Sequence, residues 1–117
     1  MNKVRAVTAD LLQALGCRFS QRGAGYLQDA ICAVAEEKDF YGFELKELIM
    51  DLECKYGASF KSVEKAMQRN VVSMLDVKQP IQYLYDLFPD EDFYRTGDIT
   101  LKKFIRTTAI EVSKIAC

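Results

Sequence analysis

Lys61, Lys65 and Arg69 stand four residues apart in the stretch "SFKSVEKAMQR", with Ser62, Glu64 and Gln68 between them. These side chains suit the chemistry of a DNA surface. Lysine and arginine donate to phosphate oxygens and to guanine acceptors, glutamine pairs with adenine, and glutamate accepts from the cytosine amino group. Lys55 lies just upstream. From Lys55 to Arg69 four cations face one acid, Glu64, so the segment carries a local charge of about +3 within a chain of net charge −1. Phosphate binding is driven by counterion release and needs several cations in one place.

Other chemistries have weaker support. The chain has no histidine, so the common nucleophile–base pairs cannot be built, and an enzyme is not expected. Cys17, Cys32, Cys54 and Cys117 are scattered without a C-x-x-C pair. Neither a zinc cluster nor a redox motif has its ligands, and reduced, mostly buried thiols are the expectation. The carboxylates Asp86, Asp90, Glu91, Asp92 and Asp98 lack the alternating ligands and closing glutamate of a calcium loop. They read as a solvated acidic loop, with no metal. The "RGAGY" stretch is too short for a phosphate loop and lacks its lysine. No cofactor is expected.

The bounds on these residues come from the whole chain. Its 117 residues make one domain by length, able to bury roughly 65% of its unfolded surface. Half the residues are apolar and 28% charged, without a long single-sign block. That composition suits a packed globule rather than a disordered chain. No apolar run approaches the roughly 18 residues of a membrane span, and the N-terminal stretch does not build a signal-peptide core, so a cytoplasmic location is expected.

Six segments carry helical periodicity and none a convincing period of two, which predicts an all-α, compact six-helix domain spanning 1–117. Val4, Val7, Leu11 and Leu15 form the first stripe, closed by Gly16; Gly23 to Gly25 open a second helix, with Tyr26, Leu27, Ala30, Ile31 and Val34 inward. A third runs from about Phe43 to a break at Tyr56-Gly57, with Leu45, Leu48, Ile49 and Leu52 inward. Ser59 is the expected cap of the fourth, which buries Val63, Ala66, Met67, Asn70, Val71 and Met74. A fifth starts at Gln79-Pro80, carries Ile81, Leu84 and Phe88, and stops at Pro89. Thr100 caps a sixth, with Leu101, Phe104, Ile105, Val112 and Ile115 as its stripe. Tyr83, Tyr85 and Tyr94 are expected to pack at the core or its rim, with contact to a protein partner as the alternative.

About three residues separate the third and fourth helices, the spacing of a helix-turn-helix, placed here at about 43–75. In that motif the second helix enters the major groove. At about 100° per residue, Lys61, Lys65 and Gln68 fall opposite the buried stripe, flanked by Ser62, Glu64 and Arg69. The bland reading is a solvated face on a generic αα-hairpin, and an overall pI near 5.5 favours it. Spacing and charge alone leave both open.

From Ala9 to Leu75 the chain resembles, without a gap, the C-terminal effector domain of the stage-zero sporulation response regulator. The resemblance is carried by "LLQALG", by Gly23, Tyr26, Leu27, Ala30 and Ile31 in "RGAGYLQDAICAV", and by Tyr56, Val63, Glu64 and Ala66 in "KYGASFKSVEKAMQRNV". More weakly, "IQYLYDLF" and "KKFIRTTAIEVSKI" are similar to its last two helices. The resemblance implies a six-helix domain whose third and fourth helices form the helix-turn-helix, with the fourth reading double-stranded DNA. It places Lys61, Ser62, Glu64, Lys65, Gln68 and Arg69 at the base- and phosphate-facing positions.

This chain has Ser62, Lys65 and Gln68 where the family pattern has arginines, and Arg69 where it has a histidine. Lysine is a point charge where arginine is a bidentate fork, so an altered target sequence is expected. The family's phosphoacceptor receiver domain has no counterpart in these residues, which leaves constitutive binding or control by a partner. The first expectation is a stand-alone transcriptional regulator, positioned by Lys55, Lys61 and Arg69 on phosphates and made specific by Lys65, Gln68, Glu64 and Ser62, with a homodimer on DNA as one arrangement. The alternative is a protein-interaction module of the same fold that has lost DNA binding and acts on an RNA polymerase subunit or a related regulator.

Overall fold

The buried positions of the computed structural model, which describes residues 3–75, 82–89 and 99–116, explain why the helices sit where they do. Six helices follow in order: α1 (Lys3–Ala14), α2 (Arg22–Glu37), α3 (Leu45–Tyr56), α4 (Phe60–Leu75), α5 (Gln82–Leu87) and α6 (Leu101–Ala116). No strand occurs among the described residues. The Cα radius of gyration is 13.3 Å, matching the about 13 Å of a compact domain of this length.

The central helix is α2, which packs against α1, α3, α4 and α6. Its sequence shows why: Ala24, Leu27, Ala30, Ile31, Val34 and Ala35 are all buried, covering more than one face with small and branched side chains. Around it Leu12, Ile49, Met67, Leu84, Phe104 and Ile105 fill the core, and Phe88 stacks on Phe104 at 5.6 Å between centroids. Where α2 crosses α4 the two backbones nearly touch. A Cβ added at Gly23 would lie 2.1 Å from the Ala66 carbonyl oxygen, so only glycine permits this approach.

The caps follow local chemistry. Gly57 ends α3 in the left-handed region at φ 65°, donating its N–H to the Glu53 carbonyl, and Gly16 follows α1 at φ 88°. Ser59 Oγ accepts the Ser62 N–H at 3.2 Å, and Thr100 Oγ1 accepts that of Lys103 at 3.2 Å. Lys38 closes α2 at φ 57° with no glycine to mark it.

Several expectations need correction. Ile115 is 49% exposed, because the last turn of α6 runs past the core that ends at Val112. The third helix starts at Leu45 rather than Phe43, although Phe43 is buried just before it. Ala66 is only half-buried. The three described thiols are free but not mostly buried: Cys32 is buried, Cys17 is half-buried and Cys54 is exposed. The start of the fifth helix at Gln79-Pro80, the acidic stretch 90–98 with Tyr94, and Cys117 lie outside the described residues.

Candidate nucleic-acid interface

The helix-turn-helix consists of α3, a three-residue turn of Gly57, Ala58 and Ser59, and α4. The inner side of α4 is anchored by Val63 and Met67, both fully buried, with Val71 and Met74 behind them. That anchoring fixes the rotation of the helix. Lys61, Ser62, Lys65, Gln68 and Arg69 are exposed on its outer side, with Glu64 half-buried at the edge. The side chains of Lys61, Lys65 and Arg69 make no ion pair or hydrogen bond among the described residues.

Lys55 stands apart from this set. From the end of α3 its Nζ donates to Asp29 Oδ2 at 2.9 Å, while Arg5 of α1 donates to Oδ1 at 2.7 Å. The Tyr56 hydroxyl donates to the same carboxylate. Asp29, whose side chain is 8% exposed, thus ties α1, α2 and α3 at one point. Burial pushes its carboxyl up, but the hydrogen bonds from Tyr56, Lys55 and Arg5 outweigh this and hold it below its ordinary range. The Tyr56 ring packs edge-on against Tyr26 at 5.0 Å, which fixes the residue just before the turn.

A second polar hub lies beneath α4. Asn70 is fully buried within the apolar stripe. Its amide donates to the Arg18 carbonyl at 3.1 Å and to Gln21 Oε1 at 2.9 Å, and its oxygen accepts from the Cys17 thiol at 3.1 Å. Burial pushes that thiol up to about 11, so it stays a protonated donor. The loop between α1 and α2 is therefore bolted to the helix-turn-helix.

Sequence reasoning does not single out Asp29 or Asn70 as the residues that hold this face in place. Asn70 had a usable signal, since an amide in an apolar stripe needs partners. Asp29 had none, because its partners lie 24 to 27 residues away in sequence.

The fold defines a class: an all-α domain in which α3, a short turn and α4 form a helix-turn-helix. Residues 8–112 match the family described as "Sporulation initiation factor Spo0A C terminal", and the chain belongs to that family of DNA-binding sporulation transcription factor domains, which is not a family of enzymes. No curated protein and no solved structure gives a significant match. No described helix is long and apolar enough to cross a membrane.

Proposed function

We propose that this chain is a sequence-specific transcriptional regulator of sporulation control, working in the cytoplasm and reading the major groove with α4. The observation carrying this reading is the row Lys61, Lys65 and Arg69, exposed and without an ion-pair partner among the described residues, on a helix whose opposite side is locked in the core. Desolvating such cations costs no existing pair. Lys61 and Arg69 position the protein on phosphates; Gln68 and Lys65 project from the middle of the outer face toward base edges, with Ser62 and Glu64 beside them. Lys55, held by Asp29, is a secondary phosphate contact.

The competing reading, a protein-interaction module of this fold, draws on the net charge of −1. Selection from a random duplex library at physiological salt separates the two. An enriched motif is expected, and Gln68→Ala should then cost about 1–3 kcal/mol on that motif and relax one base position. No enrichment, with a polymerase subunit retained instead, would favour the module. Equal weakening on selected and scrambled duplexes would show that α4 does not read bases in this orientation.

A further inference from the structure

Two grooves flank α4 on the side of α2. One, of about 760 Å³, runs beside the turn and includes Phe19, Arg22, Tyr56, Gly57, Ser59 and Ser62 in its lining. The other, of about 430 Å³, continues along the helix and includes Arg22, Gly23, Ser62, Lys65 and Arg69. They share Gln21, Arg22 and Ser62, so they form one trough from the end of α3 to the middle of α4. Although the chain has 17 acidic residues, none lines either groove. The walls carry cations (Arg22, Lys65, Arg69), hydroxyl donors (Ser20, Ser59, Ser62) and two half-exposed rings, Phe19 at 46% and Tyr56 at 43%.

We infer that this trough seats the sugar-phosphate backbone of one DNA strand beside the groove read by α4, with Arg22 as its central phosphate anchor. The inference rests on the DNA-binding reading above and extends it to a residue outside the helix-turn-helix. The rings of Phe19 and Tyr56 at one end offer apolar surface to a sugar, the cations and hydroxyls along the rest offer donors to phosphate oxygens, and a guanidinium holds a phosphate through two parallel hydrogen bonds. The trough is also held in fixed register with the reading helix. The Gly23 backbone lies against that of Ala66, and Asn70 holds Gln21 and the Arg18 carbonyl from within α4. Arg22 therefore cannot shift along the DNA independently of Gln68 and Lys65. It is a positioning residue that sets where the reading side chains land.

The test uses the full chain and its Arg22→Gln and Arg22→Lys variants, titrated by fluorescence anisotropy against the selected duplex and a scrambled one across a salt series. Phosphate-ethylation interference is run alongside, and thermal melts check folding. Arg22→Gln should weaken both duplexes about tenfold, flatten the log–log salt slope by about 0.9, and abolish interference at one phosphate. Arg22→Lys should keep the slope and regain only part of the affinity. If the wild type binds and Arg22→Gln leaves affinity, slope and interference pattern unchanged, the trough is overturned while reading by α4 stands. Weakening on the selected duplex alone would make Arg22 a base reader and overturn the phosphate assignment. No duplex binding by the wild type, even at low salt, would overturn both.

Discussion

Two sets of basic residues lie close to the same turn and have opposite environments. Arg5 and Lys55 converge on the nearly buried Asp29 carboxylate, and their charge is spent on joining α1, α2 and α3. Lys61, Lys65 and Arg69, a few residues on, have no such partner among the described residues. A count of charges from Lys55 to Arg69 treats Lys55 and the outer row alike, giving the local +3. The fold does not: it holds one set in internal pairs and leaves the other without an ion pair among the described residues. What separates the two sets is the carboxylate the fold delivers to one of them, and the proposed DNA contact draws on the other.

Both sets hang from one core, so the largest effect comes from disturbing that core. Met67 is fully buried on the inner side of α4. Met67→Ala should cost about 2–5 kcal/mol through lost apolar contact and a residual cavity, measured by urea or thermal unfolding. The fraction that remains folded should still bind duplex DNA. A variant that melts like the wild type yet fails to bind would place Met67 on the outer side and invert the assignment of the free cations.

The paired set is addressed through its anion. Asp29→Asn keeps shape and a weaker acceptor but removes the charge facing Arg5 and Lys55, and should cost about 1–2 kcal/mol. The pH dependence has a fixed sign. A carboxyl held below its unfolded value, near 4, stabilises the fold fully above that value and loses the contribution as pH falls through the lower folded value. The melting-temperature gap between wild type and Asp29→Asn should therefore be constant between about pH 5 and 8 and close below about pH 4. A gap that persists unchanged to low pH would mean that shape, not charge, is what Asp29 supplies.

Much of this arrangement is legible in the sequence, for reasons that also mark where legibility ends. Periodicity in Val63, Met67, Asn70, Val71 and Met74 fixes the rotation of α4, and with it the outward direction of Lys61, Lys65 and Gln68. Gly57 and Ser59 announce the turn because a left-handed cap and an N-cap each demand a residue type. Relations between helices leave no such local trace. Gly23 reads as a helix opener, while its role is to admit the Ala66 backbone. Lys55 reads as a free cation, because nothing near it in sequence reveals that α2 brings Asp29 within 2.9 Å. Arg22 is an isolated arginine until the crossing of α2 and α4 sets it beside Ser62, Lys65 and Arg69.

The smallest expected effect sharpens the comparison most, because it concerns the residue at the border of the two sets. Lys55 is close to the turn, and a phosphate passing there must compete with Asp29 for its ammonium group. With that group already hydrogen-bonded, Lys55→Ala should reduce the salt slope of duplex binding by clearly less than the about 0.9 expected for a full phosphate contact. In the Asp29→Asn background the pair is gone, and the same substitution should then remove close to the full increment. The four proteins, wild type, two single variants and the double variant, form a cycle whose non-additivity reports the competition directly. Fluorescence anisotropy on the selected duplex between about 50 and 200 mM salt covers the range in which such slopes are resolved. If Lys55→Ala already lowers the slope by about 0.9 in the wild type, DNA draws the amine off Asp29, and the division between structural and binding cations dissolves at that residue. If it lowers the slope in neither background, Lys55 belongs wholly to the hub, and the contact surface begins at Lys61 and the trough beside it.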